Sequence, residues 1–265
     1  MSDVDKANFV LPREDQYLAL ADFSKTFRSL EGSTILEIGS DWDGLTLKAL
    51  KNHYGASVCY GVNPEVRNPF SDNGISLLKK YGSNTGLPDS CIDFVFSHAT
   101  FEHVLDIEAN LVEIERVLKP NGKAWIRFGP VWSSKRGHHL WLKTDKQKFT
   151  FLDNVIPPYG HLLMEENELN FYLQKKMEKN YADAICFEVY HSQGINRFFM
   201  KDYKKKFDNS LLKLISFTKV PNTIYSRFYL IKNYWKQYTK LFLKYSPQDF
   251  ISTGATAILE KTNYA

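Results

Sequence analysis

Near its amino terminus the chain reads Thr34-Ile35-Leu36-Glu37-Ile38-Gly39-Ser40-Asp41-Trp42-Asp43-Gly44-Leu45. The first five residues are a β-favouring run, and the polar turn that follows contains two glycines and leads into a helical pattern. A strand, a tight turn and a helix in this order point helix amides at a ligand and let the backbone approach it closely. Such turns are common, so this stretch predicts a ligand-binding α/β domain without specifying the ligand.

Strands and helices alternate on both sides of this stretch. A helix is predicted over Gln16–Leu30, and another begins after Asp106, whose side chain is a good N-cap. The expected strands besides 34–38 are 57–62, 75–78, 92–97, 124–128 and 255–260. This alternation predicts a parallel sheet with helices on its faces.

The composition changes after residue 128, where tryptophan, histidine, lysine and paired prolines replace clean periodicity. We interpret 131–200 as a cap over the carboxyl ends of the strands, the edge at which open α/β sheets bind ligands. The predicted organisation is a cofactor-binding α/β half at 1–130, this cap or substrate segment, and a C-terminal part at 201–265 that completes the same domain.

The C-terminal part is predicted to contain one long amphipathic helix. Its apolar positions are Ile224, Phe228, Ile231, Trp235, Tyr238, Phe242 and Tyr245, and its basic positions are Lys232, Lys236, Lys240 and Lys244. The basic positions could meet an anionic lipid or nucleic acid. A solvated face opposite an apolar stripe is the simpler expectation.

The overall composition narrows the function classes. The 265 residues carry a net charge of only +4, which does not favour a dedicated nucleic-acid binder. Three cysteines without metal-ligand spacing indicate reduced thiols, and residues 1–13 do not have the pattern of a signal peptide. No window approaches the ~20 apolar residues of a spanning helix. We therefore expect a cytoplasmic protein without a transmembrane segment, as a monomer or homodimer.

The most specific pattern lies further along the chain. It reads Leu87-Pro88, then Ile92-Asp93-Phe94-Val95-Phe96-Ser97, then Phe101-Glu102-His103-Val104, then Glu113-Ile114-Glu115-Arg116-Val117-Leu118-Lys119-Pro120-Asn121-Gly122. In these residues the chain resembles the class I S-adenosylmethionine-dependent methyltransferases of the small-molecule kind called type 11. The resemblance covers about residues 30 to 130. It implies a doubly wound α/β sheet of seven strands, the last antiparallel, here with the cap inserted after the fifth strand.

The resemblance also implies S-adenosyl-L-methionine as cofactor and S-adenosyl-L-homocysteine as product. Glu37, Gly39, Asp41 and Gly44 match the first cofactor motif, which lies under the methionine and ribose. The family turn is usually Gly-x-Gly-x-Gly, and only the first glycine matches without a gap. This departure motivates an alternative, a catalytically degenerate methyltransferase fold that acts as a binding or scaffold protein.

Five more residues match cofactor positions of the family. Asn63 stands where an acid usually grips the ribose hydroxyls, and an amide gives up the charge-assisted bond. Ser83 and Asn84 stand where members of the family contact the amine of the adenine ring. Ser97 and His98 end a predicted strand beside the methionine portion.

The implied reaction transfers a methyl group, with an oxygen of a small polar acceptor as the favoured target. A hydroxyl acceptor must lose its proton, and histidine suits this role at neutral pH. His139, His138 and His161 are the candidate catalytic bases, whereas His103 is expected to be structural. A metal site formed by the three candidate bases with Asp153 or Glu165 is not expected, because no helical HxxxH or HExxH spacing is present.

The predicted acceptor is a sugar, sugar nucleotide or phosphorylated metabolite of surface-polysaccharide synthesis. The rings of Trp132, Trp141 and Tyr159 are stacking candidates, and Arg136 is a candidate anion clamp. N-methylation and transfer to a phosphoryl oxygen stay open. An RNA methyltransferase is the weakest reading, because the charge is nearly balanced.

Overall fold

The structure is a computed structural model that describes residues 14–221, 235–236 and 239–262. All structural statements below concern these residues. The helices are α1 Glu14–Phe27, α2 Leu45–Tyr54, α3 Ile107–Val117, α4 Gly160–Leu163, α5 Glu166–Gln174, α6 Lys179–Tyr190, α7 Met200–Asp208 and α8 Pro247–Phe250. The strands are β1 Thr34–Ile38, β2 Val58–Val62, β3 Phe70–Asp72, β4 Ile75–Leu78, β5 Ile92–His98, β6 Leu118–Phe128, β7 Trp141–Lys143, β8 Lys148–Thr150, β9 Lys213–Pro221 and β10 Ser252–Glu260.

The main sheet has eight strands in the order β3-β4-β2-β1-β5-β6-β10-β9. Strands β4, β2, β1, β5 and β6 are mutually parallel, and β10 runs antiparallel to both of its neighbours. The doubly wound α/β sheet and its antiparallel last strand are therefore confirmed. The predicted number of seven strands is wrong by one.

Two strands of this sheet, β9 and β3, are not among the six expected from the sequence. Strand β3 lies at the edge of the sheet, antiparallel to β4. Only Asn73 and Gly74 separate the two strands, with φ angles of 45° and 73°. An Asn-Gly pair with two positive φ angles is the preferred two-residue hairpin turn. This short signal was present in the sequence, but the polar residues around it gave no strand pattern.

Strand β1 lies between β2 and β5, and the chain leaves it in one direction to β2 and β4 and later in the other to β5 and β6. The carboxyl edge between β1 and β5 is therefore the topological switch point, where open α/β sheets bind ligands. The turn at Gly39 and the loop after His98 both start from this edge.

Hydrophobic residues form two cores against the sheet and a third in the cap. The two sheet cores are centred on Ile126 and Phe207, and on Phe23 and Trp125. The cap core runs from Trp132 to Ile195 and also contains Leu241 and Phe250 from the C-terminal part of the chain. The segment after β6 thus has its own packed interior, which gives it a fixed shape beside the carboxyl edge.

Several predicted boundaries shift in the structure. The first helix ends at Phe27 rather than Leu30, because Arg28 adopts a φ of 66° that no α-helix continues. Strand β6 begins at Leu118, which already pairs with Ile92. The predicted cap of α3 is confirmed, since the Asp106 carboxylate accepts a hydrogen bond from the Ala109 amide at 2.9 Å.

The predicted long amphipathic helix lies partly outside the described residues, as do residues 1–13. Ile224, Phe228, Ile231, Lys232 and Tyr238 are not among the described residues, whereas residues 239–244 are helical. Within the described residues, no helix combines the length and the apolar character that crossing a bilayer requires.

Candidate active site

The turn after β1 brings two backbone segments into contact at the switch point. Gly39 has a φ of +84°, and its amide donates to the Val62 carbonyl at 2.9 Å. A Cβ on Gly39 would lie 2.0 Å from Oγ1 of Thr100 in the loop after β5. Only glycine fits this position, because a side chain would meet both a strained φ and a steric overlap.

Glu37 supports this turn from inside the protein. Its side chain is 1% exposed, Gln16 Nε2 donates to Oε1 at 3.1 Å, and Ser40 Oγ lies 2.6 Å from Oε2. Burial, and secondarily the charge of Asp41, raise the pKa of Glu37 to about 8. The carboxyl group is therefore a neutral hydrogen-bonding partner of the turn at neutral pH.

We expect Glu37→Gln to change how stability depends on pH. The pKa of Glu37 is raised from 4.5 to about 8 on folding, so the folded state holds a proton that the unfolded state releases. The unfolding free energy of the parent protein should fall between pH ~4.5 and ~8, and the variant should lose this part of the slope. Urea unfolding across that range measures it, and parallel pH profiles would contradict the assignment.

Asp41 and Asn63 are both hydrogen-bonded within the protein. The Asp41 carboxylate accepts from the amides of Leu45 and Thr46 at 2.9 and 3.1 Å, and so caps α2. Asn63 Nδ2 donates to the Ser40 carbonyl at 2.7 Å, which ties the end of β2 to the turn. Each side chain retains further hydrogen-bonding capacity, but its first partner is the turn itself.

The other predicted cofactor residues surround the same edge. Gly44 precedes α2 with a φ of +67°, and Ser83 and Asn84 lie in the turn after β4. Ser97 is fully buried, and its hydroxyl donates to the Ile38 carbonyl at 2.9 Å, tying β5 to β1. His98 ends β5, with its Nε2 3.7 Å from the Asp15 carboxylate.

The structure corrects two of the three candidate bases. His138 and His161 are each 3% exposed and pack against each other and Trp132. His161 Nε2 bonds to the Trp132 carbonyl at 2.7 Å, and His138 Nδ1 accepts from the Leu140 amide at 3.2 Å. Burial lowers the pKa of His138 to about 2 and that of His161 to about 4. Both therefore act as neutral core residues of the cap.

The predicted stacking residues differ in how far their rings are exposed to solvent. Tyr159 is fully buried and donates from its hydroxyl to the Phe250 carbonyl at 3.0 Å, and Trp132 is 8% exposed. Neither ring has a free face for an acceptor in this structure. Trp141 is 57% exposed on β7, with Lys148 Nζ 3.5 Å above its ring. Only Trp141 of the three aromatic candidates is open to solvent.

His139 faces a different environment from its neighbour His138. Its imidazole lies near the side chains of two loop residues, Glu102 and His103, and the ring centroids of His139 and His103 are 4.7 Å apart. Burial, then the proximity of His103, lower the pKa of His139 to about 3, so the ring is neutral. Arg136, three residues earlier, donates from Nη2 to Asn154 at 3.0 Å, and its buried Nε is unpaired.

Glu102 completes this group and was not predicted as a site residue. It is 1% exposed, and burial raises the pKa of its carboxyl to about 8. The amides of Glu102 and Gly129 approach the carboxyl group, but neither oxygen accepts a well-formed hydrogen bond. Glu102 and His103 belong to the Glu-His-Val signature, which was the sequence signal. The proximity of Glu102 to His139 depends on how the cap folds, and it could not be predicted from the spacing of the residues in the sequence.

The cap holds the Glu102 loop in place through Asn196. The Asn196 amide donates to the Glu102 carbonyl at 2.9 Å, and Nδ2 donates to the carbonyls of Phe101 and Val104 at 2.7 and 2.8 Å. His103 Nδ1 bonds to the Gly194 carbonyl. The cap and the sheet edge thus meet at the loop that carries Glu102 and His103.

We expect Asn196→Ala to destabilise the protein by about 1–3 kcal/mol, because it leaves two loop carbonyls without their donor. Chemical denaturation measures the change. Asn170→Ala is the matched control, since Asn170 also donates a side-chain hydrogen bond, but that bond lies at the surface and the residue is only half-buried on α5. The control should change stability by less than about 0.5 kcal/mol. Equal effects of the two substitutions would show that Asn196 does not hold the loop.

Residues 36–126 match the family model described as "Methyltransferase domain". This match spans 91 of the 265 residues, and over them the chain is similar to the class I S-adenosylmethionine-dependent methyltransferases. The resemblance seen in the sequence is confirmed. The matched residues run from β1 through most of β6, and so include the Gly39 turn and the Glu102 loop. No curated protein sequence matches the chain.

Solved structures share this fold. A Haloferax volcanii protein described as a methyltransferase, in complex with the activator Trm112, is 15% identical over 95% of this chain and 92% of its own, with a TM-score of 0.51. Phosphoethanolamine N-methyltransferase 2 of Haemonchus contortus, solved with S-adenosyl-L-methionine, is 14% identical with a TM-score of 0.52. The match covers 93% of this chain but 53% of that one. A Mesorhizobium loti S-adenosylmethionine-dependent methyltransferase is 13% identical over 91% and 97%, with a TM-score of 0.50. At these identities the likeness concerns the fold alone.

The resemblance of the sequence implies S-adenosylmethionine as cofactor, and the turn of this chain has a form that fits that group. Gly39 has no side chain where a Cβ would overlap the side chain of Thr100, so the loop after β5 packs through Thr100 directly on the backbone of the turn. These features suit a ligand held against backbone at the switch point.

Proposed function

We propose that this protein transfers a methyl group from S-adenosylmethionine to an oxygen of a small polar acceptor. The acceptor class that we favour is a sugar, sugar nucleotide or phosphorylated metabolite of surface-polysaccharide synthesis. One observation supports acceptor chemistry here: Glu102 and His103, from the loop that packs on the Gly39 turn, meet His139 of the cap segment. The free thiols Cys59, Cys91 and Cys186 agree with a cytoplasmic location.

The residues of the cofactor motif are assigned to holding the cofactor. Bound S-adenosylmethionine supplies an electrophilic methyl group on a sulfonium that departs as a neutral thioether. The backbone from Gly39 to Gly44 would lie beneath it, and Asn63 would meet the ribose hydroxyls with its remaining donor and acceptor capacity. Ser83 and Asn84 would lie near the adenine, and Ser97 and His98 near the methionine. Holding donor and acceptor in line supplies much of the rate of such a transfer.

The acceptor would lie between this edge and the cap. His139 is neutral and its Nδ1 is unpaired, so its lone pair can engage a proton or another electrophile beside the acceptor oxygen. Arg136 and the exposed face of Trp141 lie in the same cap segment and would suit a phosphate and a sugar or base ring. The cap core would exclude water from the reacting atoms.

A screen for labelled methyl transfer tests the proposal. Purified protein is incubated with S-[methyl-³H]adenosylmethionine and panels of sugar nucleotides, sugar phosphates and phosphorylated alcohols. We expect transfer to a hydroxyl-bearing acceptor. A parallel panel of phosphorylated amines is needed, because the Haemonchus contortus neighbour is an N-methyltransferase. Transfer to amines alone would contradict O-methylation.

A second candidate is a degenerate methyltransferase fold that acts as a binding protein. The hydrogen bonds of Asp41 to α2 and of Asn63 to the turn favour it, because both side chains already have partners in the protein. Calorimetry with S-adenosylmethionine and S-adenosylhomocysteine separates the two functions. Measurable heat with a binding stoichiometry near one supports the enzyme, and the lack of any heat at about millimolar ligand supports the binding protein.

A further inference from the structure

Three side chains with metal-binding atoms converge beside the Gly39 turn. One ligand atom each from Glu102, His103 and His139 can be chosen so that all three lie within 4.8 Å of one another. Glu102 and His103 come from the loop after β5, and His139 comes from the cap segment after β6. The grouping is therefore made by the tertiary fold and is not a repeat along one helix.

The hydrogen bonds around His103 leave one nitrogen ready to bind. His103 Nδ1 contacts the carbonyl of Gly194, which can only accept a hydrogen bond. Nδ1 must therefore carry the proton, and Nε2 presents a lone pair from a residue that is exposed to solvent. A backbone carbonyl that fixes the tautomer of a histidine in this way is the usual outer partner of a metal-bound imidazole.

Glu102 and His139 have buried polar atoms without partners. Both carboxyl oxygens of Glu102 and Nδ1 of His139 lack a hydrogen bond. Leaving such atoms unpaired costs free energy, so buried polar groups in native proteins nearly always have a partner. Glu102 is 1% exposed, and among the residues that the structure describes no basic side chain is paired with it. A ligand that accepts electron pairs from all three residues would satisfy these atoms together.

We propose that Glu102, His103 and His139 bind a divalent transition-metal ion that in turn binds the acceptor oxygen. This inference deepens the proposed function and rests on it for the role of the metal, but the site itself can be tested without any acceptor. The spacing of these residues along the sequence does not indicate a metal site.

The donor set indicates the class of metal. Two imidazoles and one carboxylate suit Zn²⁺, Fe²⁺, Co²⁺ or Ni²⁺, whereas Mg²⁺ and Ca²⁺ prefer oxygen ligands. Ligands of one ion with bonds of ~2.1 Å lie at most ~4.2 Å apart, and the three ligand atoms lie within 4.8 Å of one another before any ion is bound. Three protein ligands leave a coordination position open, which is typical of catalytic sites and not of structural ones.

The open position would take the acceptor hydroxyl. A bound divalent ion lowers the pKa of an oxygen ligand, so the hydroxyl proton is released to solvent near neutral pH. The oxygen then uses an electron pair to form the new O–C bond to the methyl group. The S–C bond breaks, and its electron pair remains on the sulfur of S-adenosylhomocysteine. No change of oxidation state is involved.

Direct metal binding tests the site. The full-length protein is stripped with a chelator and titrated with Co²⁺, followed by calorimetry and by the visible absorption of the bound ion. We expect one Co²⁺ ion to bind tightly to each protein chain. His103→Ala and Glu102→Gln should each weaken binding at least about tenfold. His103 is exposed, so its variant should fold normally, and thermal unfolding checks this for both.

His191→Ala is the matched control. His191 lies on the surface 2.8 Å from the Glu166 carboxylate, so it offers an imidazole–carboxylate pair far along the chain from the proposed ligands. Loss of its imidazole should leave the tight binding of one Co²⁺ ion unchanged. Absence of tight binding, or tight binding that survives both ligand substitutions, overturns the metal site. Calorimetry with S-adenosylmethionine on the same samples reports separately on the proposed function, which stands or falls independently of Co²⁺ binding.

Discussion

Replacing Gly39 by valine is expected to abolish binding of S-adenosylmethionine. The new Cβ would lie 2.0 Å from Thr100 Oγ1 and 2.7 Å from Thr100 Cβ, so no rotation of Thr100 can relieve the overlap. Oγ1 also donates to the His98 carbonyl, which holds Thr100 in the loop. The turn must then move away from the loop, and the closed backbone surface for the cofactor is lost. We expect calorimetric affinity to fall at least about a hundredfold, or roughly 2.7 kcal/mol.

Gly32→Val is the matched control for this change. Gly32 has a φ of +69°, similar to that of Gly39, but a Cβ there would have no neighbour within 4 Å. Both variants carry the backbone strain of a branched residue at positive φ, about 1–2 kcal/mol. Only Gly39→Val adds the overlap at the switch point. If the two variants bind the cofactor equally well, the Gly39 turn is not where it binds.

The sheet could be predicted largely because its strands are short, apolar and separated by clear turn signals. The run Thr34–Ile38 became β1 with its predicted bounds, and Asp106 capped α3 as expected. The strand β3 was missed because its three residues are mostly exposed and have no apolar pattern. A strand of this kind forms when an Asn-Gly turn folds it back on a neighbour, which is a pairing effect and not a property of its own residues.

The candidate site could be predicted less well, for a physical reason. His138 and His139 are adjacent in the sequence, yet one is a core residue of the cap and the other joins Glu102 and His103. A φ of 50° at His139 turns the chain between them, and no spacing rule anticipates such a turn at a histidine. Tyr159 and His161 were placed in the cap pocket by composition, but the cap needs a core of its own and buries them.

The remaining large effect concerns the acceptor half of the reaction. We expect His139→Ala to lower kcat at least roughly tenfold, the usual size of the loss when a group that helps to activate the acceptor oxygen is removed. The affinity for S-adenosylmethionine should stay within about twofold, because the turn from Gly39 to Gly44 and the side chain of Asn63 are unchanged. Steady-state methyl transfer with a confirmed acceptor, and calorimetry with the cofactor, measure the two quantities.

This prediction separates a loss of kcat from a loss of affinity for S-adenosylmethionine. A general loss of folding would lower cofactor binding and turnover together, whereas loss of a group beside the acceptor lowers turnover alone. His191→Ala removes an exposed histidine from the end of α6 and should change neither. Unchanged kcat in His139→Ala would remove His139 from the site. The acceptor oxygen would then have to be activated elsewhere along the carboxyl edge, where His98 ends β5.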